Sequence, residues 1–86
     1  MFKLGATVMT KTVEQTISRE DIINALDRHS IGDWGLVEQI DAEANEEALI
    51  NDDRILSIYK SKDDVTFWII TEADRSLTTV LLPEDY

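Results

Sequence analysis

The chain has 86 residues, with 18 acidic and 8 basic side chains, a net charge of −10 and no cysteine. The missing cysteines exclude disulfides and thiolate metal sites, and the acidic balance argues against direct DNA binding and against docking to an anionic membrane. Hydrophobic residues make up 43% of the sequence, which is enough for one small core. We therefore expect one domain over residues 1–86, located in the cytoplasm, with no membrane-spanning segment.

Residues 1–17 carry the weakest pattern in the chain. The segment from Phe2 to Met9 is apolar and suits either a short strand or an extended arm that lies on the core. Val13 and Ile17 follow at a spacing of four residues, which suits a short helical turn. The sequence therefore predicts an N-terminal arm, or a short strand and helix, before residue 18.

Residues 18–50 carry the pattern of two helices. Ser18 is a favourable N-cap for the first helix, which is predicted to run to His29 with a buried apolar stripe. A turn with a glycine on each side of a tryptophan follows. The second helix is predicted from Leu36 to Ile50, with Ile40 among the apolar residues of one face and carboxylates on the other.

Residues 54–83 predict three short strands that are joined by two polar turns. β-Branched and aromatic residues are concentrated in Arg54 to Lys60, Val65 to Glu72 and Leu77 to Pro83. The expected fold class is therefore α+β, with N-terminal helices packed on a C-terminal three-stranded antiparallel meander. Both faces of this meander carry apolar residues. Either the helices and the N-terminal arm cover both faces, or one face contacts a second copy or a partner.

His29 and Arg75 are the side chains best suited to chemistry. His29 is the only histidine, and it is either a general acid or base or a residue at a helix C-terminus whose charge suits the helix dipole. Arg75 lies in a turn rich in hydroxyl groups, and it suits either a phosphate or carboxylate ligand or a local pair with Glu72. No metal and no cofactor is expected, because one histidine and no cysteine leave only carboxylates and no nucleotide-binding motif is present.

Eight carboxylates and no lysine or arginine occur between Asp33 and Asp53. This acidic run is either a solvated helix face or a row of charges that imitates a nucleic-acid backbone in front of a nucleic-acid-binding protein. Trp34, at its start, is either an exposed anchor for a partner or a plug that closes the core. The candidate partner-binding residues all belong to this segment and are Asp33, Trp34, Glu38, Asp41, Glu43, Glu46, Glu47, Asp52 and Asp53.

Several segments resemble a family of small bacterial proteins. They are GDWG at 32–35, RILSIY at 54–59, WIITEADRS at 68–76 and TTVLLP at 78–83. The family occurs on plasmids, phages and other mobile elements, so the resemblance implies a context in which such an element must survive host defence, and it implies almost no established activity. The chain departs from the family pattern at Asn51 to Asp53, where a helix end that contains glycine is expected.

At the level of the fold, the chain is also similar to compact ribonuclease toxins of the barnase–colicin–interferase kind. That similarity implies metal-independent cleavage of RNA by His29, Arg75, Thr78 and Thr79, with acid–base help from the histidine. The net charge of −10 argues against this function, because such toxins usually need a basic cradle for RNA.

The leading expectation is a non-enzymatic protein that binds a host protein through the acidic surface of Asp33 to Asp53. The partner is expected to be basic or nucleic-acid-binding, such as a restriction or CRISPR-type complex. A metal-independent ribonuclease is the alternative. A homodimer that forms through the second sheet face is a third hypothesis, and it is compatible with the first.

Overall fold

Four strands form one mixed sheet in the computed structural model, which describes residues 1–86. The strands are β1 (Ala6–Met9), β2 (Ile55–Lys60), β3 (Thr66–Thr71) and β4 (Leu77–Leu81), and their order in the sheet is β1-β4-β3-β2. The β2, β3 and β4 strands pair antiparallel, whereas β1 pairs with β4 in parallel. The α+β class is therefore confirmed. The prediction of a three-stranded antiparallel meander is wrong, because β1 adds a fourth, parallel strand.

Three helices and a short 3-10 helix complete the fold. They are α1 (Lys11–Thr16), α2 (Arg19–Ser30), α3 (Gln39–Asn51) and the 3-10 helix of Pro83–Asp85. Polar side chains begin the first two helices: Thr10 accepts a hydrogen bond from the Val13 amide at 3.2 Å, and Ser18 accepts one from the Asp21 amide at 3.1 Å. None of the helices combines the length and the apolar character that a membrane span needs.

Gly5 permits the parallel pairing of β1 with β4. Its φ of +67° lies in the left-handed region, and a Cβ atom built there would be 2.4 Å from the carbonyl group of Ser76. The chain can therefore approach the turn before β4 closely enough for the Ala6 amide to donate to the Ser76 carbonyl oxygen at 3.0 Å. The apolar segment that ends at Met9 thus contains an edge strand, which is one of the two forms predicted for it.

The start of α3 differs from the sequence prediction. The predicted helix begins at Leu36, but the observed helix begins at Gln39, because residues 34–36 run along the outer edge of β2. There the Leu36 amide donates to the Ile58 carbonyl oxygen at 2.7 Å, and the Ile58 amide donates to the Trp34 carbonyl oxygen at 3.2 Å. These two bonds satisfy backbone groups at a sheet edge that would otherwise be open.

The core lies between the helices and one face of the sheet. The buried sheet residues that build the core share this face and are Ile55, Tyr59, Phe67, Ile69 and Val80. They cluster with Val13 of α1, with Ile22 and Ala25 of α2, and with Ala48 of α3. The buried residues of all three helices are therefore directed at the same side of the sheet.

The opposite side of the sheet, which we call the outer face, is covered only in part. Leu56, Ile58 and Trp68 project from it and are half-buried. The ring of Tyr86 lies 5.6 Å from the ring of Trp68, so the end of the chain shields one region of this face. Ile70 and Leu81 share this face and are buried, although the buried residues of the helices pack on the other side of the sheet. The outer face stays the surface on which a homodimer contact is predicted.

Asp52 ends α3 in a left-handed conformation, with φ 57° and ψ 50°. Glycine is the usual residue at this position, because the conformation strains other residues and a carboxylate opposes the helix dipole. We expect Asp52→Gly to raise the free energy of unfolding by about 0.5–1 kcal/mol in urea denaturation. Asp52→Asn removes only the charge, so it should give part of this gain. A glycine variant that is no more stable than the native protein would contradict the explanation.

Candidate partner-binding surface

The exposed side of α3 presents four residues at helical spacing, Ile40, Glu43, Glu47 and Ile50, which we call the α3 ridge. Positions three or four residues apart lie on the same side of a helix. The two isoleucines are 74% and 82% exposed, and both glutamates are exposed as well. The ridge therefore places two carboxylates between two apolar ends.

Side-chain hydrogen bonds fix α3 against the sheet. Asn45, on the buried side of the helix, donates to the Leu56 carbonyl oxygen at 2.7 Å and accepts from the Leu56 amide at 3.1 Å. The Arg75 guanidinium donates to the carbonyl oxygens of Ala48 at 2.9 Å and Asp53 at 2.6 Å. Its positive charge also offsets the negative end of the helix dipole. The α3 ridge is therefore held in a fixed position relative to the sheet.

Seven of the eight carboxylates between Asp33 and Asp53 make no ion pair. Asp33 is the exception: Arg28 donates to it from Nε at 2.7 Å, and this bond lowers the pKa of the Asp33 carboxyl group. The other seven are exposed and are Glu38, Asp41, Glu43, Glu46, Glu47, Asp52 and Asp53. The surface around the ridge therefore stays strongly negative.

Trp34 lies inside the protein. It is 6% exposed, it clusters with Ala48 and Ile55, and its Nε1 donates to the Glu46 carboxylate at 2.9 Å. This burial matches a plug that closes the core and leaves no exposed ring for a partner to contact. Of the residues assigned to the partner-binding set, the structure therefore places the carboxylates at the surface and Trp34 beneath them.

His29 is completely buried near the end of α2. Its Nδ1 bonds to the Ser57 hydroxyl, and its Nε2 lies 2.8 Å from the Thr71 hydroxyl. The Thr71 hydroxyl lies 2.8 Å from that of Thr78, which donates to the Leu4 carbonyl oxygen at 2.6 Å. Side chains from α2, β2, β3 and β4 therefore meet in one buried chain of hydrogen bonds.

The carbonyl group at the end of this chain fixes the direction of the bonds from Leu4 back to Nε2 of His29. A carbonyl oxygen can only accept, so the Thr78 hydroxyl donates to Leu4 and accepts from Thr71. Thr71 has then used its proton, so it accepts from His29, which carries its proton on Nε2. Burial lowers the pKa of His29 from 6.5 to about 4, so the ring is neutral at pH 7. Nδ1 then carries no proton and accepts from the Ser57 hydroxyl.

Arg75 and Thr79 are not part of this cluster. The Arg75 guanidinium is engaged by backbone carbonyl oxygens, and the Thr79 side chain is on the outer face, opposite to that of Thr78. A general acid or base must reach the proton that it transfers, but both ring nitrogens of His29 are buried and engaged. The structure therefore links His29 to Thr78 through Thr71 and forms no open site around the four predicted catalytic residues.

Comparison of the chain with known proteins gives no relative. No protein-family model, no curated protein and no solved structure matches it.

A second surface, at the edge of β1, has no counterpart in the sequence prediction. A groove of about 560 Å³ opens there, and its mostly apolar lining consists of Met9, Glu14, Ile17, Arg19, Ile22, Ile23 and Leu26. These residues come from β1, α1, α2 and the segment between the two helices. Only the fold brings them together, and the one signal in the sequence is the apolar character of the segment that ends at Met9.

Proposed function

We propose that this protein is a non-enzymatic binding protein that docks through the α3 ridge onto a basic surface of a nucleic-acid-binding host protein. The observation that carries the proposal is the exposed ridge, in which two unpaired glutamates lie between Ile40 and Ile50. The mobile-element context that the family resemblance implies favours a partner from host defence, such as a restriction or CRISPR-type complex.

Charge and apolar area have separate roles in this function. The negative field of the carboxylates attracts a surface that is built to hold phosphates, and it raises the rate of association. Ile40 and Ile50 supply apolar area, since specific interfaces combine a poorly solvated centre with a polar rim. If the carboxylates served only solubility, there would be no reason for Ile40 and Ile50 to be exposed beside them. The buried and doubly bonded His29 offers no accessible base, so we propose no ribonuclease activity.

Charge reversal on the ridge tests this function. The immobilised protein should capture basic nucleic-acid-binding proteins from a bacterial lysate treated with nuclease, and either salt or added duplex DNA should release them. Glu43→Lys combined with Glu47→Lys should weaken capture by roughly tenfold, because each exposed ion pair contributes about 0.2–1 kcal/mol and each reversal adds a similar repulsion.

A matched control carries the same net charge as the ridge variant. Asp27→Lys combined with Glu84→Lys changes two exposed carboxylates that form no ion pair and lie outside residues 33–53. This variant should bind like the native protein. Equal losses in the two double variants, or capture that duplex DNA does not compete, would show that the ridge is not the docking surface.

A further inference from the structure

Residues 1–9, which we call the N-terminal segment, are held by distant parts of the chain. The Phe2 ring lies 5.1 Å from the ring of His29, and the Phe2 amide donates to a carbonyl oxygen at the end of α2 at 3.2 Å. The Leu4 carbonyl oxygen accepts from Thr78 at 2.6 Å, and all four residues of β1 pair with β4. The hydrogen bonds of the segment therefore end on α2, on β4 and on the turn before β4, and none reaches α1.

A second copy of the chain offers a segment that fits the same place. Every group that hydrogen-bonds to the N-terminal segment belongs to residues 29–81, so the segment of another copy would form the same bonds there. Gly5 fixes the register of this fit, because a Cβ atom at that position would be 2.4 Å from the Ser76 carbonyl group. Contacts that already exist therefore define the occupant, and exchange of an identical element is a low-cost route to a dimer.

The connection between β1 and α1 is a single residue, Thr10. One residue spans at most about 3.6 Å, which is too short to link two copies of the protein. Exchange of the N-terminal segment therefore has to unwind the start of α1. This helix has only six residues, and Val13 is its one buried side chain. So short a helix is not stable by itself, so local contacts have to maintain its first turn.

Asp85 holds the start of α1 in place. Its Oδ2 atom accepts from the Thr10 hydroxyl at 2.7 Å and from the Thr12 hydroxyl at 2.6 Å. The same carboxylate oxygen accepts from the Leu82 amide at 3.0 Å, which ties these bonds to the end of β4. Unwinding the first turn of α1 moves Thr10 away from Thr12, so it breaks at least one of the two hydroxyl bonds. Asp85 therefore opposes exchange of the N-terminal segment.

We propose that two copies of this chain exchange their N-terminal segments to form a dimer, and that Asp85 is the latch that opposes the exchange. In the dimer each β1 pairs with β4 of the partner copy. This interface differs from the contact predicted on the outer face, because it reuses bonds of the monomer and needs no new apolar surface. The α3 ridge lies outside the exchanged segment, so the dimer presents two ridges. The exchange does not depend on the function proposed for the ridge.

A pair of introduced cysteines reports the exchange directly, because the native chain has none. Val8 and Thr79 are partners in the pairing of β1 with β4, so Val8→Cys combined with Thr79→Cys places two thiols within reach of a disulfide. An equimolar mixture of isotope-labelled and unlabelled chains is held reduced at about 1 mM and is then oxidised. Mass spectrometry should find disulfides that join a labelled N-terminal segment to an unlabelled β4. Tenfold dilution and re-equilibration before oxidation should lower the ratio of interchain to intrachain disulfides roughly three- to tenfold.

A matched cysteine pair separates exchange from random crosslinking. Lys60→Cys combined with Thr66→Cys joins partners in the pairing of β2 with β3. Exchange of the N-terminal segment leaves both of these positions in one chain. This variant should therefore form intrachain disulfides only, under the same conditions.

Two single substitutions test the latch in the chain that carries Val8→Cys and Thr79→Cys. Asp85→Ala removes the acceptor of the Thr10 and Thr12 hydroxyls, so it should raise the ratio of interchain to intrachain disulfides about tenfold. Glu84→Ala removes the neighbouring carboxylate, which is exposed and forms no ion pair. This control should leave the ratio unchanged.

Several results would overturn the proposal. Intrachain disulfides alone at about 1 mM protein would show that the N-terminal segment stays on its own chain. Equal amounts of interchain disulfide in the two cysteine pairs would assign the links to random collision. Disulfides that join two N-terminal segments to each other would indicate a contact between two β1 edges without exchange. Equal ratios in Asp85→Ala and Glu84→Ala would show that Asp85 is not the latch.

Discussion

Acidification between pH 6.5 and pH 4 should destabilise this protein by about 3 kcal/mol through His29. Burial lowers the pKa of His29 to about 4 in the fold, from 6.5 in the unfolded chain. Above pH 6.5 the ring is neutral in both states, so it has no effect on the pH dependence. Between pH 6.5 and pH 4 the unfolded chain takes up a proton that the fold does not accept, and the free energy of unfolding falls. Below pH 4 both states are protonated and the loss is complete.

The hydroxyl chain around His29 explains why the fold holds the neutral ring. A second proton would sit on Nδ1, where the Ser57 hydroxyl donates in the neutral state. Ser57 is completely buried, so its hydroxyl proton would have to find another acceptor inside the protein. A buried donor that loses its acceptor costs about 1–3 kcal/mol. Burial and the hydrogen-bond pattern therefore both disfavour protonation of His29.

His29→Gln separates this titration from that of the 18 carboxylates. Glutamine keeps a donor that can reach Thr71, but it has no group that titrates. The free energies of unfolding of the native and variant proteins should be measured by urea denaturation across this pH range. Both proteins contain the same carboxylates, so the effect of carboxylate titration cancels when one free energy of unfolding is subtracted from the other. The remaining difference should shrink by about 3 kcal/mol from pH 7 to pH 4.

The single histidine also permits a direct check by NMR. One set of imidazole signals should report a neutral ring with its proton on Nε2 down to about pH 5. A ring that titrates near pH 6.5, or a native–variant difference that is independent of pH, would contradict the burial and the bond directions assigned to His29.

Local signals in the sequence predicted that α2 and α3 are helices better than they predicted which side of α3 is buried. Ser18 caps α2 as predicted, because a cap depends on residues only three apart. Ile40 belongs to the apolar stripe predicted for the second helix, but it is 74% exposed. A polar residue, Asn45, marks the buried side instead, because its amide bonds to the backbone of β2. Hydrophobic periodicity cannot reveal a polar group that is buried for its hydrogen bonds.

Long-range contacts account for most of what the sequence could not show. The partners of β1 lie some 70 positions along the chain in β4, and no local pattern marks such a pairing. The ion pair predicted between the Arg75 and Glu72 side chains does not form. The Glu72 carboxylate pairs with Arg54 at 3.1 Å, and the Arg75 guanidinium bonds to the Glu72 carbonyl oxygen and to the end of α3. The role of His29 was left open for the same reason, since its two hydrogen-bond partners come from two distant strands, Ser57 from β2 and Thr71 from β3.

Gly35→Ala should lower the free energy of unfolding by about 3 kcal/mol or more. A Cβ atom at Gly35 would be 2.0 Å from the Ile58 carbonyl oxygen and 2.8 Å from the Tyr59 ring. A backbone oxygen cannot rotate away, so residues 34–36 must leave the β2 edge. Two backbone hydrogen bonds are then lost, at about 0.5–1.5 kcal/mol each. The φ of +73° adds about 1–2 kcal/mol of strain for alanine.

Gly32→Ala is the matched control for this substitution. Gly32 also has a positive φ, of +86°, but the nearest atom to its added Cβ is on the Trp34 ring at 3.7 Å, which is an ordinary contact. This variant should therefore show only the conformational strain, about 1–2 kcal/mol. For a domain of this size 1 kcal/mol shifts Tm by roughly 4–8 °C, so Gly35→Ala should melt well below Gly32→Ala in thermal denaturation.

The comparison of the two alanine variants decides whether the β2 edge is sealed by close contact. A larger loss in Gly35→Ala assigns the difference to the approach of residues 34–36 to β2, because left-handed strain is common to both variants. The released edge would then expose the backbone groups of Ile58, so Gly35→Ala should aggregate more than Gly32→Ala at the same unfolded fraction, as measured by light scattering. Equal losses and equal aggregation would mean that residues 34–36 do not protect β2. The contrast between a closed β2 edge and an open β1 edge would then be lost.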